Sequence, residues 1–219
     1  MLKLYGFPSS NYYNIVKHIL LLKGVDFEEE LVYPGGDTSY KIKSPLKKIP
    51  CIETDDGYLA ETSIIINYIE TLYPENSLFP DDRFERAKTA ELMRFTELYV
   101  ELAARRLLPA VLMGAPVSEE AKAEVRPQME RGLQAIAQLS FFEPYLLGEQ
   151  MTLADIYVRY CLVIAKMIGH QVYQWDILDE VDGLREWDAM MAEQEVSQIV
   201  DADAAEGLVA FREYLSGGK

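Results

Sequence analysis

The stretch Ser44-Pro45-Leu46-Lys47-Lys48-Ile49-Pro50-Cys51-Ile52-Glu53-Thr54-Asp55-Asp56-Gly57-Tyr58-Leu59-Ala60-Glu61-Thr62 decides the fold. It reads as a loop closed by Pro50, a short strand over Cys51–Thr54, a turn, and a second strand over Tyr58–Ala60. Asp55-Asp56-Gly57 is a strong hairpin signal, because tight turns need the positive φ that glycine reaches without strain. From Thr62 to Tyr73 the spacing changes: Ile65, Tyr68, Ile69 and Leu72 fall at i, i+3, i+4 and i+7, one face of a helix. Pro50 stands at a tight loop-to-strand junction, where a cis X-Pro bond is useful.

Toward the N-terminus, Met1–Gly6 reads as a strand closed by Gly6 and Pro8. A helix runs from about Asn11 to Lys23, with Ile15, Val16, Ile19, Leu20 and Leu22 on its buried side and Gly24 as its stop. Glu28–Val32 reads as a second strand, anchored by Phe27, Leu31 and Val32. The segment Tyr33–Ser44 holds Pro34-Gly35-Gly36 and reads as a loop. The order is therefore βαβ, loop, ββα. A helical crossover makes the first two strands parallel, and the hairpin adds an antiparallel pair.

Toward the C-terminus, Pro74–Asp82 reads as a linker, and beyond it the strand signal nearly vanishes. Leu92, Phe95, Tyr99 and Leu102 keep helical spacing in a segment ending near Pro109. A second helical segment runs from Ser118 to Leu139, with Pro127 expected to kink it or mark its start. The third contains Leu153, Ile156, Tyr157, Tyr160, Cys161, Ile164 and Met167. It opens on Thr152-Leu153-Ala154-Asp155, a capping box flanked by Met151 and Ile156 as a hydrophobic staple. The boundaries are 1–77 for an α+β domain and 83–219 for an all-helical one, with the linker at 74–82.

The chain has 219 residues and a net charge of −15, from 36 acidic and 21 basic side chains. Phosphate backbones and anionic membrane surfaces attract clustered Lys and Arg, so this balance argues against both as partners. Only Cys51 and Cys161 are present, far apart. That excludes a CxxC dithiol and a cysteine-rich zinc site, and it fits a reducing compartment. No apolar run approaches a membrane span, and Met1–Tyr5 alternates like a strand rather than a signal peptide. A cytoplasmic location is expected.

Four segments, in this order and spacing, carry a resemblance to the cytosolic glutathione transferase superfamily. They are Leu4-Tyr5-Gly6-Phe7-Pro8-Ser9-Ser10-Asn11; Ser44-Pro45-Leu46-Lys47-Lys48-Ile49-Pro50; Leu59-Ala60-Glu61-Thr62-Ser63-Ile64; and the Thr152–Asp155 capping box. The second is similar to the family's Asn-Pro-x-Gly-Lys-Val-Pro segment and the third to its Glu-Ser pair. The resemblance implies a thioredoxin-like N-terminal domain followed by an all-α domain. It implies glutathione as co-substrate with no other cofactor and no metal, a small electrophile as second substrate in a detoxification role, and a homodimer. Arg94, Arg105 or Arg106 are basic residues available to such a contact. The same fold also serves as a non-catalytic binding or regulatory module, and fold alone does not decide between the two.

What the resemblance implies for the site agrees with the chemistry of the residues. Glutathione carries two carboxylates, an amine and a thiol, so it needs donors, an anion-friendly helix start and an extended backbone edge. Ile49, before a cis Pro50, would pair its backbone with the cysteinyl unit. Glu61 and Thr62, at a helix N-terminus, suit the γ-glutamyl end. A free thiol has a pKa of about 8.5, so a donor must stabilise the thiolate. Ser10 falls where Ser-type members carry their catalytic serine. Ser9 is its neighbour, and Asn11 matches the bacterial Nu-class pattern, so the thiol contact is open among the three. The sequence has Gly6-Phe7 where Tyr-type classes place a tyrosine. The basic pair that holds the glycine carboxylate in several classes is replaced by Gly35-Gly36-Asp37, leaving Lys48, beside Ile49, as the best-placed cation, with Lys41 and Lys47 behind it. Asn14 replaces a basic residue common in the first helix. Phe7, Tyr12, Tyr13 and Tyr99 are the aromatic candidates for the second-substrate site. His18 lies two helical turns beyond Ser10, too far for a Ser-His relay.

Overall fold

A computed structural model describes residues 1–34 and 38–217. Strand β1 (Leu2–Gly6) leads through a turn into helix α1 (Asn11–Leu22), which crosses back to β2 (Phe27–Leu31). A 3-10 turn over Thr38–Ile42 is followed by β3 (Cys51–Thr54), β4 (Gly57–Ala60) and α2 (Thr62–Leu72). The sheet order is β2-β1-β3-β4, with β1 and β2 parallel and β3 antiparallel to both its neighbours. Its apolar face packs beneath α1 and α2, where Leu4, Ile15, Ile19, Ile52, Ile65 and Ile69 are fully buried. β2 is an edge strand whose Glu28-Glu29-Glu30 run discourages pairing with another chain. Leu31, expected as an anchor, is 63 % exposed at that edge, because only one neighbour covers it.

Register places the site. Tyr5 lies opposite Cys51, and Cys51 opposite Ala60. The end of β1, the start of β3 and the end of β4 therefore share one edge of the sheet. The residues just beyond them, Ser9–Asn11, Ile49-Pro50 and Glu61-Thr62, emerge along that edge.

The next elements are α3 (Arg83–Phe95), a π-helical stretch (Thr96–Glu101), α4 (Leu102–Arg105), α5 (Leu108–Met113) and α6 (Glu119–Leu139). Then come α7 (Leu153–Tyr173), a 3-10 turn (Ile177–Glu180), α8 (Leu184–Ala192) and α9 (Glu195–Gly217). Helix α6 continues through Pro127 instead of starting there. The lost N–H bond is outweighed by the packing of Val125, Met129, Leu133 and Ile136, all buried on one face. Pro109 begins α5 rather than ending the preceding helix, since the first turn needs no N–H from it.

The chain divides into two compact units, Met1–Ser77 with Gln194–Lys219, and Leu78–Glu193. The break at Ser77 falls inside the expected linker, 74–82. Helix α9, which the sequence reading assigned to the helical domain with the rest of 83–219, packs with the first unit. Its residues Asp203, Gly207, Phe211 and Tyr214 recur at i, i+4, i+8 and i+11, and this stripe meets Lys17, Pro8, Phe7 and Tyr33 of the α+β unit.

In the second unit, Thr152 Oγ1 accepts from the Ala154 amide at 3.2 Å, and Asp155 Oδ2 accepts from the Thr152 amide at 2.8 Å. The other carboxylate oxygen of Asp155 accepts from the Leu146 amide and the Trp187 indole, both at 2.9 Å. The capping box is thus also a knot joining the start of α7 to the preceding loop and to α8. Among the described residues, no helix is long and apolar enough to cross a membrane.

Candidate functional site

The turn between β1 and α1 is short because Pro8 cannot continue the strand and Ser10 closes the helix start. Ser10 has extended dihedrals, and its Oγ accepts from the Tyr13 amide at 3.5 Å. A hydroxyl acting as a cap acceptor keeps its own proton for a second partner, so Ser10 can cap the helix and donate to a thiolate at once. Asn11 is the first helical residue and is buried. The Oγ of Ser9 and the Oδ1 of Asn14 are buried with no hydrogen-bond partner among the described residues. Each is a polar atom whose desolvation is uncompensated by the protein alone. His18 is buried deeper in α1, away from the turn.

At the start of β3, the Ile49-Pro50 peptide bond is cis, with Pro50 buried and Ile49 half-buried. Lys47 stands where the motif carries glycine, and its φ is 54°, the left-handed region that glycine enters freely. At this position the backbone takes the conformation that glycine favours despite the different residue. Lys48 is exposed, and its carbonyl accepts from the Tyr40 hydroxyl at 3.4 Å.

At the end of β4, Glu61 adopts φ 73° and ψ 116° and caps α2 with its carbonyl alone, which accepts from the Ile64 and Ile65 amides at 3.0 Å. Its side chain makes no capping bond, so the first amides of the helix receive no side-chain acceptor from their own cap residue. A non-glycine residue held at positive φ outside the left-handed helical well is strained, by about 1–3 kcal/mol. Thr62 is the first helical residue and is buried. A cavity of about 560 Å³ opens beside this junction, its wall including Lys43, Ser44, Tyr58 and Glu61.

Lys43 is a residue the sequence reading passed over. Its Nζ lies 3.0 Å from each of the Tyr5 hydroxyl, Glu53 Oε2 and the Tyr58 hydroxyl, and it sits over both tyrosine rings. Burial works against its charge, but the bonds to Tyr58, Tyr5 and Glu53 outweigh it and hold the ammonium above its ordinary pKa. The hydrogen bond from Tyr5, with Lys43 beside it, holds the Glu53 carboxyl below the usual range. Burial pushes the Cys51 thiol up to about 11, so at neutral pH it is a protonated packing residue, not a nucleophile. Positions 5, 43, 53 and 58 share no sequence pattern; register sets Glu53 opposite Tyr58, and the loop after the 3-10 turn brings Lys43 to them.

Among the second-substrate candidates, the ring of Phe7 is buried and stacked on Phe211 at 4.5 Å, so it is core. Tyr13 is also buried, its hydroxyl donating to Glu29. Tyr12 is half-buried. Tyr99, 43 % exposed, belongs to the second unit, in the π-helical stretch. Gly35, Gly36 and Asp37, where the basic pair would stand, lie outside the described residues.

Family models supply the remaining observation. Residues 4–77 match the model of the glutathione S-transferase N-terminal domain, and residues 119–187 match that of the C-terminal domain. The chain is 37 % identical over 219 residues, the whole of both proteins, to a glutathione S-transferase of Pseudomonas putida. The chain belongs to the glutathione S-transferase family. It is also 25 % identical over 191 residues to a maleylacetoacetate isomerase of Pseudomonas aeruginosa, covering 84 % of this chain and 90 % of the other. A Tau-class glutathione S-transferase structure from mango, Mangifera indica, superposes with a TM-score of 0.79 at 22 % identity, over 98 % of each chain. That likeness speaks for the fold.

Proposed function

We propose that this chain binds glutathione along the sheet edge and activates its thiol for attack on a small electrophile. The observation that carries the reading is the register: three strand ends side by side, bearing a capped helix start, a cis-proline loop and an uncapped helix start. Two interstrand spacings make about 10 Å, close to the length of an extended tripeptide at roughly 3.3–3.6 Å per residue. The γ-glutamyl carboxylate faces the amides at the start of α2 and the Thr62 hydroxyl, and Glu61 receives the amine. The backbone of Ile49 pairs with the cysteinyl unit. The glycine carboxylate meets Lys48.

The thiol then lies at the N-terminus of α1. Ser10 donates to it, Asn11 and Ser9 stand beside, and the positive end of the helix favours the thiolate. Once the proton has left to solvent, sulfur attacks an electrophilic carbon, a C–S bond forms, and the leaving group departs with its electron pair. The same thiolate can attack a peroxide oxygen or a disulfide sulfur, glutathione then being the reductant. Support for catalysis over a purely binding role comes from the donors at the turn and from 37 % identity, over the full length, to a protein named as a transferase. A thermal-shift titration with glutathione tests the reading, since a ligand that binds only the folded state raises its stability, by about 2.7 kcal/mol at a hundredfold excess over Kd. No shift at millimolar glutathione rejects it.

The functional unit on this reading is a homodimer. Ile42 and Leu46 are 79 % and 70 % exposed on the loop before β3, and Ile64 is 51 % exposed on α2. Large apolar side chains left exposed in this number suit an interaction surface. The arginines weighed for that contact are engaged within the chain: Arg94 with Glu97, Arg105 with Glu101, Arg106 with Glu124. Apolar burial is therefore its expected source of affinity. Light scattering at micromolar concentration should give twice the chain mass of 25.0 kDa; the monomer mass refutes the dimer.

A further inference from the structure

Helix α9 rests directly on the turn that carries Ser9, Ser10 and Asn11. A Cβ placed on Gly207 would fall 2.8 Å from Pro8 Cβ and 3.3 Å from the Ser9 backbone nitrogen. Pro8 Cβ is fixed to the backbone through its ring, so no rotamer change relieves that contact. The approach is held from both sides. On one, Lys17 Nζ, buried in α1, lies 2.7 Å from Asp203 Oδ2 and 2.7 Å from both carboxylate oxygens of Glu29. On the other, Phe211 stacks on Phe7 at 4.5 Å, Tyr214 stacks on Tyr33 at 4.5 Å, and the Tyr214 hydroxyl donates to the Pro34 carbonyl at 3.2 Å. Glycine in a helix interior is a poorer helix former than alanine. Its presence at 207, in the stripe that meets the turn, is explained by the close approach.

We propose that Gly207 is a positioning residue for the glutathione thiol: it lets α9 seat on Pro8 and Ser9 and so fixes the turn whose donors stabilise the thiolate. The inference rests on the reading that this turn contacts the thiol. An alanine here needs the 2.8 Å contact to open to at least 3.4 Å, the ordinary van der Waals range. Displacements approaching 1 Å at a reacting group cost up to about a hundredfold in rate.

A structural role and a positioning role predict different pH profiles for Gly207→Ala. If the glycine only completes packing, the better helix former leaves the pH profile where it was. If it positions the turn, kcat at neutral pH falls about tenfold, and the acid limb of the kcat–pH profile moves up by about one pH unit. KM for glutathione stays within about twofold, because the other two strand ends hold the tripeptide. Hydrogen exchange should speed up at the amides of residues 9–12 while α9 stays protected. Asp203→Asn, which loosens the same seat without adding bulk, should shift the profile in the same direction and decides the matter if Gly207→Ala does not fold. The inference is overturned if the folded variants keep the wild-type profile and kcat, or if the whole loss appears in KM. A wild-type protein that glutathione fails to stabilise would instead reject the parent reading.

Discussion

Helices α1 and α2 begin along the same edge of one sheet, and their starts are built on opposite plans. The start of α1 is closed by its own side chain: Ser10 accepts from Tyr13, and α9 presses on the residues before it. The start of α2 is left open, with Glu61 strained at φ 73° and its carboxylate making no capping bond. A closed start that still has a hydroxyl proton to give suits a thiolate, which needs one well-aimed donor. An open start, whose cap residue offers its first amides no side-chain acceptor, suits a carboxylate, which takes several. A third start, that of α7 in the other unit, shows what a helix terminus looks like when it serves only the fold: Asp155 is fully buried and every bond is internal.

The contrast breaks first at the internal start. Asp155→Ala leaves the Leu146 and Thr152 amides and the Trp187 indole without their acceptor. At about 1–3 kcal/mol for each buried donor, the loss should be at least about 3 kcal/mol, read as a lowered urea midpoint. A change below about 1 kcal/mol would mean that water or a neighbouring oxygen takes the bonds, and that α7 is not the purely internal case.

Lys48→Ala tests the far end of the tripeptide. Loss of a charge-assisted contact removes about 1.5–3 kcal/mol, so glutathione binding by calorimetry should weaken about tenfold or more with folding stability unchanged. An unchanged dissociation constant moves the glycine carboxylate elsewhere and makes Lys41 the next residue to replace.

Glu61→Gly has a smaller effect that divides by state. It relieves a strain of about 1–3 kcal/mol against about 0.4–1 kcal/mol of added unfolded-chain entropy, so the ligand-free protein should gain on the order of 1 kcal/mol, while removal of the carboxylate weakens glutathione binding. Stability and affinity moving in opposite directions is the signature of strain kept for a ligand. If both fall, the strain reading of α2 is wrong.

Local chemistry explains what the sequence could show. The hairpin at Asp55-Asp56-Gly57, the cis Ile49-Pro50 bond and the Thr152 capping box are each written within a few consecutive residues, and the strands and helices around them follow. What tertiary placement sets was silent: the grouping of Lys43 with Tyr5, Glu53 and Tyr58 depends on the pairing of β1 with β3 across tens of residues and on the path of a loop outside any strand. The return of α9 to the first unit rests on the Asp203, Gly207, Phe211, Tyr214 stripe, which mixes charged, small and aromatic residues. A stripe shows that a helix has a face without naming the surface it meets. Pro127 misled in the other direction, since buried neighbours on α6 outweigh a missing amide.

The claim on which the site depends is that the closed start of α1 stabilises the thiolate. It is tested most directly by following the ultraviolet absorbance of the bound glutathione thiolate against pH, in the wild type and in Ser10→Ala and Asn11→Ala. The wild type should titrate below the free-thiol value of about 8.5. Loss of one charge-assisted bond, about 1.5–3 kcal/mol at about 1.4 kcal/mol per unit, should raise that pKa by about one to two units in Ser10→Ala, with binding little changed. A shift confined to Asn11→Ala would transfer the donor role one residue along the helix. Wild-type and both variant complexes titrating together near 8.5 would contradict the account.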